Sequence, residues 1–383
     1  MAGMSEPNPF RYGGIARGAY FTDRRDELAR LREDMRAGQN VVVVSPRRFG
    51  KTSLVERAIA EVRKEKVLVA YLDLFRTPTK ELLADRLAQA VYDGLVSPVE
   101  RALDRARDAF AHLAVAPRLT VTDDGKPSLE FTSFERHEDV DRAIEGVLAL
   151  PGKIARERKR RVVLVLDEFQ EIVSIDPALP GVMRAVFQAQ DEVSHIFLGS
   201  KRHLMEELFM DKTRHLYRTA KPLPLGPIPR PDFARFIRRR FERTGSSILP
   251  DALDFVLDLT GGRPYETQEL CSFAWARARG ESAEVTVRLV RASLRELIDS
   301  EAARYAAVWG GLSPHQRALL VALAQSGGGE IYSEQFRRTH KLGPPGTVRS
   351  SLKRLIESEL VEANGGYAIA DVFLGEWLRR AEA

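Results

Sequence analysis

Ser45-Pro46-Arg47-Arg48-Phe49-Gly50-Lys51-Thr52 lies between two segments of opposite periodicity. Before it runs Val41-Val42-Val43-Val44, a continuous β-branched stretch that suits a strand buried on both faces. After it, Thr52 to Lys64 has helical spacing. The octet fits the phosphate-binding pattern G-x-x-x-x-G-K-[ST], with Ser45 at the first glycine position. In this strand–loop–helix setting Gly50 lets the backbone curl, so that N–H groups point at phosphate oxygens. The helix N-terminus adds positive potential at the same place. Lys51 can reach the β and γ phosphates, and the Thr52 hydroxyl can ligate Mg²⁺. A basic turn that merely contains Gly-Lys-Thr is the competing reading, and the flanking strand and helix argue against it.

Further along, Val162 to Leu166 is an apolar strand that ends in Asp167-Glu168. Carboxylates placed there sit at the carboxyl edge of a sheet, where ligands bind. Asp167 is the candidate to hold Mg²⁺ or its water, and Glu168 to orient and deprotonate the attacking water; phosphoryl transfer needs both tasks. His195 to Ser200 is a strand that ends in Ser200, a candidate sensor of the γ-phosphate. Val67 to Leu74 reads as a further strand and Leu223 to Ile228 as a fifth. Helical patterns at Asp23–Ala37, Thr79–Phe110, His137–Arg160 and Pro180–Glu192 alternate with them, and Leu119 to Phe131 reads as a hairpin. This alternation predicts a mainly parallel sheet covered on both faces.

From Arg230 onward the pattern is helical, over Phe233–Thr244, Ala252–Thr260, Pro264–Arg279 and Val287–Trp309. After Gly310-Gly311, helices at Pro314–Gln325, Ser333–His340 and Thr347–Ser358 precede a turn at Asn364-Gly365-Gly366 and a strand at Tyr367–Ile369. That order resembles a winged helix. Ser313-Pro314 is a good helix start. The third helix carries Arg349, Ser350, Lys353 and Arg354 on the face opposite Val348, Leu352, Leu355 and Ile356. If it is a recognition helix, those four residues face a DNA groove. The acids Glu357, Glu359 and Glu362 dilute that field, so DNA and protein partners both stay open. The basic runs Arg156–Arg161 and Arg238–Arg240 read as solvated helix faces rather than DNA patches.

Lys and Arg number 59 against 54 Asp and Glu, a net charge of +5 over 383 residues, which permits an anionic partner without demanding one. The single cysteine, Cys271, sits among apolar residues and reads as a small core residue. One cysteine, no membrane-length apolar run and no leader pattern lead us to expect a soluble, cytoplasmic protein.

These elements together resemble the archaeal-type P-loop ATPase family of the AAA+/STAND group, related to origin-recognition ATPases. Asn8-Pro9-Phe10 and Phe21-Thr22-Asp23-Arg24-Arg25-Asp26-Glu27-Leu28 look like its N-terminal box, which packs by the nucleotide base. Pro46 to Leu54 looks like its P-loop, Leu166 to Gln170 its Walker B, and Leu198-Gly199-Ser200 its sensor strand. His215-Leu216-Tyr217-Arg218 is similar to a segment that carries an arginine near a neighbour's γ-phosphate. Gly261-Gly262-Arg263-Pro264 looks like the element that closes over the base from a helical lid. The resemblance implies an α/β, AAA+-like P-loop NTPase fold with a helical lid and a C-terminal winged-helix domain. The expected divisions are 1–229 for the core, with an insertion near 79–160, then 230–309 for the lid and 310–383 for the winged helix. It implies ATP and Mg²⁺ as cofactors. Pro46, Arg47, Arg48, Phe49, Gly50, Lys51, Thr52, Ser53, Phe10, Arg263 and Pro264 would hold the nucleotide, and Thr52 and Asp167 the metal. Lys51, Asp167, Glu168, Ser200 and Arg218 would carry the chemistry.

The expected function is an ATP-hydrolysing switch or motor with ATP/ADP, double-stranded DNA, a protein partner and a second copy of the chain as candidate partners, and no membrane. A P-loop kinase is one rival. A DNA-binding or protein-interaction regulator with a structurally bound nucleotide is the other.

Overall fold

The computed structural model of the chain describes residues 7–96, 118–121, 127–130, 137–281, 283–363 and 366–381. It divides into two compact units, Arg24–Gly226 and Met1–Asp23 with Pro227–Ala383.

The first unit contains, in order, α1 (Arg25–Ala37), β1 (Val41–Val44), α2 (Lys51–Lys64), β2 (Leu68–Asp73), α3 (Lys80–Leu95), β3 (Arg118–Val121) and β4 (Pro127–Glu130). It continues with α4 (His137–Arg158), β5 (Val162–Asp167), α5 (Ile172–Ile175), α6 (Leu179–Phe187), β6 (Val193–Gly199), α7 (Arg202–Met210) and β7 (Lys221–Pro224). Five strands form one parallel sheet in the order β2-β5-β6-β1-β7. Every residue of β1, β5 and β6 is buried. That is why these strands read as continuous apolar runs instead of alternating ones. One core gathers α3 (Leu83, Leu87, Val91) and α4 (Ile144, Val147, Leu148) with the sheet residues Leu72 and Leu164. The two helices of the expected insertion thus contribute to the sheet's own core. The hairpin read at 119–131 is present as antiparallel β3 and β4. The part of the expected helix beyond residue 96, and the hairpin's turn, lie outside the described residues.

The fifth strand lies at Lys221–Pro224, upstream of the expected 223–228. Pro222 and Pro224 are inside it. β7 is an edge strand. Lys221 N donates to Asn40 O and Leu225 N to Val44 O, so in the alternation of the strand Pro222 and Pro224 turn their nitrogens away from β1. A residue with no N–H loses nothing there.

The second unit comprises α8 (Arg230–Glu242), β8 (Ser247–Ile248), α9 (Pro250–Thr260), α10 (Pro264–Glu281), β9 (Glu284–Val285), α11 (Val287–Ser300) and α12 (Ala302–Gly310). It ends with α13 (Pro314–Ser326), α14 (Glu334–Thr339), α15 (Pro345–Glu357), β10 (Val361–Ala363), β11 (Tyr367–Ile369) and α16 (Val372–Ala381). α13 starts in a capping box, Ser313 accepting from Gln316 N while the Gln316 side chain accepts from Ser313 N. β10 and β11 pair antiparallel and form the wing; residues 364 and 365 of the expected turn are outside the described ones. Cys271 is fully buried in α10, and burial pushes its thiol well above the usual range. The two-residue strands β8 and β9, and α16, were not read from the sequence. Among the described residues no helix is long and apolar enough to cross a membrane.

Candidate nucleotide site

The loop after β1 is curled by two left-handed residues, Arg48 (φ +67°) and Gly50 (φ +88°). Gly50 caps α2, and its carbonyl accepts the first helical bond, from Leu54 N at 2.9 Å. Glycine takes this φ without a Cβ penalty. At Arg48 the same region costs on the order of 1 kcal/mol or more, which the fold around the loop has to hold. Lys51 opens the helix and is only 7% exposed. A buried ammonium needs acceptors. The loop supplies them: Nζ donates to the carbonyls of Ser45 (3.0 Å) and Pro46 (2.8 Å) and lies 3.4 Å from Ser45 Oγ. The serine at the first glycine position therefore adds an acceptor to the lysine's surroundings. Phe49 and Ser53 are buried, while Arg47 and Arg48 are exposed.

Across the sheet, Asp167 and Glu168 sit at the carboxyl end of β5. Asp167 is 7% exposed, and burial raises its carboxyl against the opposing hydrogen bonds from Tyr71 and the Glu168 amide. Its Oδ2 accepts from Thr52 Oγ1 at 3.4 Å and from the Tyr71 hydroxyl; its Oδ1 accepts from Glu168 N at 2.9 Å. So the helix start after β1 meets the acid after β5, although β6 lies between those strands. Glu168 is itself left-handed (φ +50°). Its Oε2 accepts from Ser200 Oγ at 2.8 Å and from Gln170 Nε2 at 2.6 Å. Ser200 follows β6, the intervening strand, and thus sits between loop and acids. Gly199 makes this possible: a Cβ there would lie 2.4 Å from Met205 Sδ and 2.5 Å from Gln170 Oε1.

Thr52 Oγ1 beside Asp167 Oδ2 is a pair of hard oxygen donors, the chemistry that Mg²⁺ takes. Among the described residues no group of three or more His, Cys, Asp or Glu side chains is arranged to hold a metal by itself. One or two protein oxygens completed by phosphates and water is the usual Mg²⁺ arrangement.

Arg218 is exposed, left-handed (φ +55°), and lies 5.2 Å from the centroid of the Tyr217 ring. It precedes β7, whose first residue pairs with Val41. It is therefore at the amino edge of the sheet, separated from the loop by the length of β1, roughly 10 Å. In the second unit, Phe10 is 4% exposed and its ring packs 4.8 Å from that of Phe241. Arg263 donates to both carboxylate oxygens of Glu362, at 3.2 and 2.9 Å, and to the carbonyl of Ala370. Pro264 starts α10. The basic runs are occupied structurally: Arg158 donates to Leu95 O, Arg160 to Lys66 O and Arg161 to Asp191 O. Arg240 lies under the Tyr20 ring and donates to Ala19 O.

Three residues around the loop and acids were not singled out by the sequence. Tyr71 and Gln170 touch the two acids. Arg24, 4% exposed, donates to Glu27 (3.1 Å), to the carbonyl of Phe49 in the loop (3.4 Å) and to that of Gly226. Arg24 left a trace as part of the box at 21–28, and Gln170 as the last residue of the stretch at 166–170.

Residues 303–380 match the family described as a probable winged helix domain. No relative is found among curated proteins. Among solved structures the chain is similar to a Walker-type ATPase of Pyrococcus abyssi, at 16% identity over 97% of this chain and 99% of that one, with a TM-score of 0.66. It is also similar to the ORC2 protein of Aeropyrum pernix, solved with ADPNP and ADP, at 15% identity over 97% and 99%, with a TM-score of 0.57. Both likenesses are of fold. Residues 21–270 match the family described as an ATPase domain predominantly from Archaea. That span is more than half of the chain and carries the loop, the acids and Ser200, so the chain belongs to this family of archaeal-type P-loop ATPases.

Proposed function

We propose that the chain binds ATP with Mg²⁺ on residues 46–53 and hydrolyses it, as a nucleotide-dependent switch whose output is the winged helix. One observation carries this reading: the Thr52 hydroxyl and the Glu168–Ser200 pair meet on either side of Asp167. Lys51 and the loop amides hold the β and γ phosphates. Thr52 and Asp167 would hold Mg²⁺, which would supply neutralisation of the charge on the phosphates. Glu168 orients a water and takes its proton as the oxygen attacks the γ-phosphorus. The bond to the bridging oxygen breaks and ADP leaves. Ser200 holds Glu168 in place. Arg218, at the amino edge of the sheet, serves only a neighbouring copy's site, which needs a homo-oligomer. The outer face of α15, where Arg349, Ser350, Lys353 and Arg354 are all exposed, is the surface offered to double-stranded DNA.

The test compares ATP binding and ATPase rate of wild type and Glu168→Gln, with and without double-stranded DNA. The variant should bind ATP within about threefold of wild type and turn over roughly 10²–10⁴-fold more slowly. Equal rates would refute the role of Glu168.

A second reading is favoured by the engagement of Glu168 Oε2 with both Ser200 and Gln170. If that base stays engaged, the chain is a DNA-binding or protein-interaction regulator that retains its nucleotide with negligible turnover. Single-turnover hydrolysis with and without DNA separates the two.

A further inference from the structure

We infer that Tyr71 is a positioning residue of the Mg²⁺–nucleotide site, its hydroxyl fixing the Asp167 carboxylate that in turn aims the Thr52 hydroxyl. The inference rests on the ATP–Mg²⁺ reading above and adds a residue to it.

β2 and β5 run parallel with Tyr71 paired to Val165 and Asp73 to Asp167. Side chains alternate along a strand. Tyr71 and Asp167 therefore share one face of the sheet, two register positions apart, and the phenol spans that offset to donate to Asp167 Oδ2. Its strand neighbours Val69, Ala70 and Leu72 are buried and apolar, whereas Tyr71 is half-buried. Packing alone asks only for a ring at this position. The hydroxyl does something a phenylalanine cannot.

Asp167 Oδ2 receives two hydroxyls, one from β2 and one from the start of α2, and Oδ1 receives the Glu168 amide. The carboxylate is thus held from three directions. With the Thr52 proton spent on Oδ2, the lone pairs of Thr52 Oγ1 are left for a cation. The Tyr71 phenol donates to that carboxylate from the neighbouring strand. Without it, the carboxylate can rotate about its last bond and the aim of Thr52 is lost with it. The loop amides and Lys51, which grip phosphate without metal, are untouched by this change.

Removing an outer partner of a metal-binding group lowers metal affinity by about 10–100-fold. The experiment titrates the full chain with mant-ADP, first in EDTA and then at rising Mg²⁺, and follows Mn²⁺ binding by EPR at saturating ADP. For Tyr71→Phe the affinity in EDTA should stay within about twofold of wild type. The Mg²⁺ concentration for half-saturation should rise about 10-fold or more, with Mn²⁺ weakened in parallel. Tyr71→Met, which fills the space without a donor, should give the same shift. In the background of Asp167→Asn, Tyr71→Phe should add little, because the two act through one contact. An unchanged Mg²⁺ requirement in both Tyr71 variants overturns the inference and leaves the site reading standing. So does a parallel loss of affinity in EDTA, which marks a merely structural role. A wild type whose affinity for mant-ADP ignores Mg²⁺ sinks the site reading itself.

Discussion

The loop-and-acid site of the first unit and the ties between elements of the second hold their charges in opposite ways. In the first, Lys51 and Asp167 are nearly buried at the carboxyl edge of the sheet and are met by carbonyls, hydroxyls and an amide. In the second, charges are tied in pairs across elements: Arg263 to Glu362, Arg304 to Asp371, Arg277 to Glu296. Neutral dipoles hold a charge in place without cancelling it, so the site keeps its field for a ligand that carries charge. Ion pairs cancel, and what they hold in place is the packing of one element on another. A cation at a helix head is therefore read differently on each side. The lysine at the head of α2 is the proposed anion site, and the arginine at the head of α10 is a tie to the wing.

If that contrast is right, the largest effect on stability should come from Arg24, a buried cation of the first unit that meets two carbonyls and one carboxylate. Arg24→Ala removes a guanidinium shared by Glu27, Phe49 and Gly226, and leaves two carbonyls and a carboxylate without it. The expected loss is about 3 kcal/mol in urea unfolding, together with weaker ADP binding, because Phe49 belongs to the phosphate loop. A cost no larger than that of Arg263→Ala would break the contrast.

His195 supplies the next effect. It is fully buried on β6, stacked on Phe187 at 3.9 Å, with Asn40 and Gln190 at its ring nitrogens. Burial pushes its pKa down to about 3, from 6.5. A depressed folded pKa means that the unfolded chain binds the extra proton. Stability is thus intact above about pH 6.5 and falls as the pH drops from there toward 3. Between pH 6.5 and 5 the loss should be about 2 kcal/mol, read as a falling unfolding midpoint. His195→Gln should flatten that slope, and an unchanged slope in the variant would assign it to other groups.

How much of this was legible follows from distance along the chain. Strand, loop and helix at 41–64 are contiguous, so their chemistry is written in one stretch; so is the strand that ends in Asp167-Glu168. Ser200 was found because it too ends an apolar strand. Tyr71 lies inside a strand where an aromatic residue is ordinary, and only the register of β2 on β5 brings it to Asp167. Gln170 faces Glu168 because Glu168 is left-handed, which no local pattern announces. β7 was placed too far downstream because Pro222 is ordinarily poor strand material, and only its position at the edge of the sheet lifts that rule. Arg263 was read from a glycine-proline motif. Its partner Glu362 is far along the chain, so its engagement with the wing could not be read from the motif alone.

The smallest effect concerns that arginine and sharpens the contrast most. Arg263 and Glu362 make two N–O contacts with side chains 14% and 16% exposed. A bidentate, largely shielded pair exceeds the median of surface pairs, while desolvation takes back part of the gain. A double-mutant cycle on Arg263→Ala and Glu362→Ala should give a coupling of about 1 kcal/mol. The same Arg263→Ala protein should bind mant-ADP within about threefold of wild type, since the guanidinium is engaged on the wing. A coupling near zero together with a tenfold loss of ADP affinity would move Arg263 from the wing to the phosphates. The glycine-proline motif would then have been the better guide, and the division of labour between the two units would fail at the head of α10.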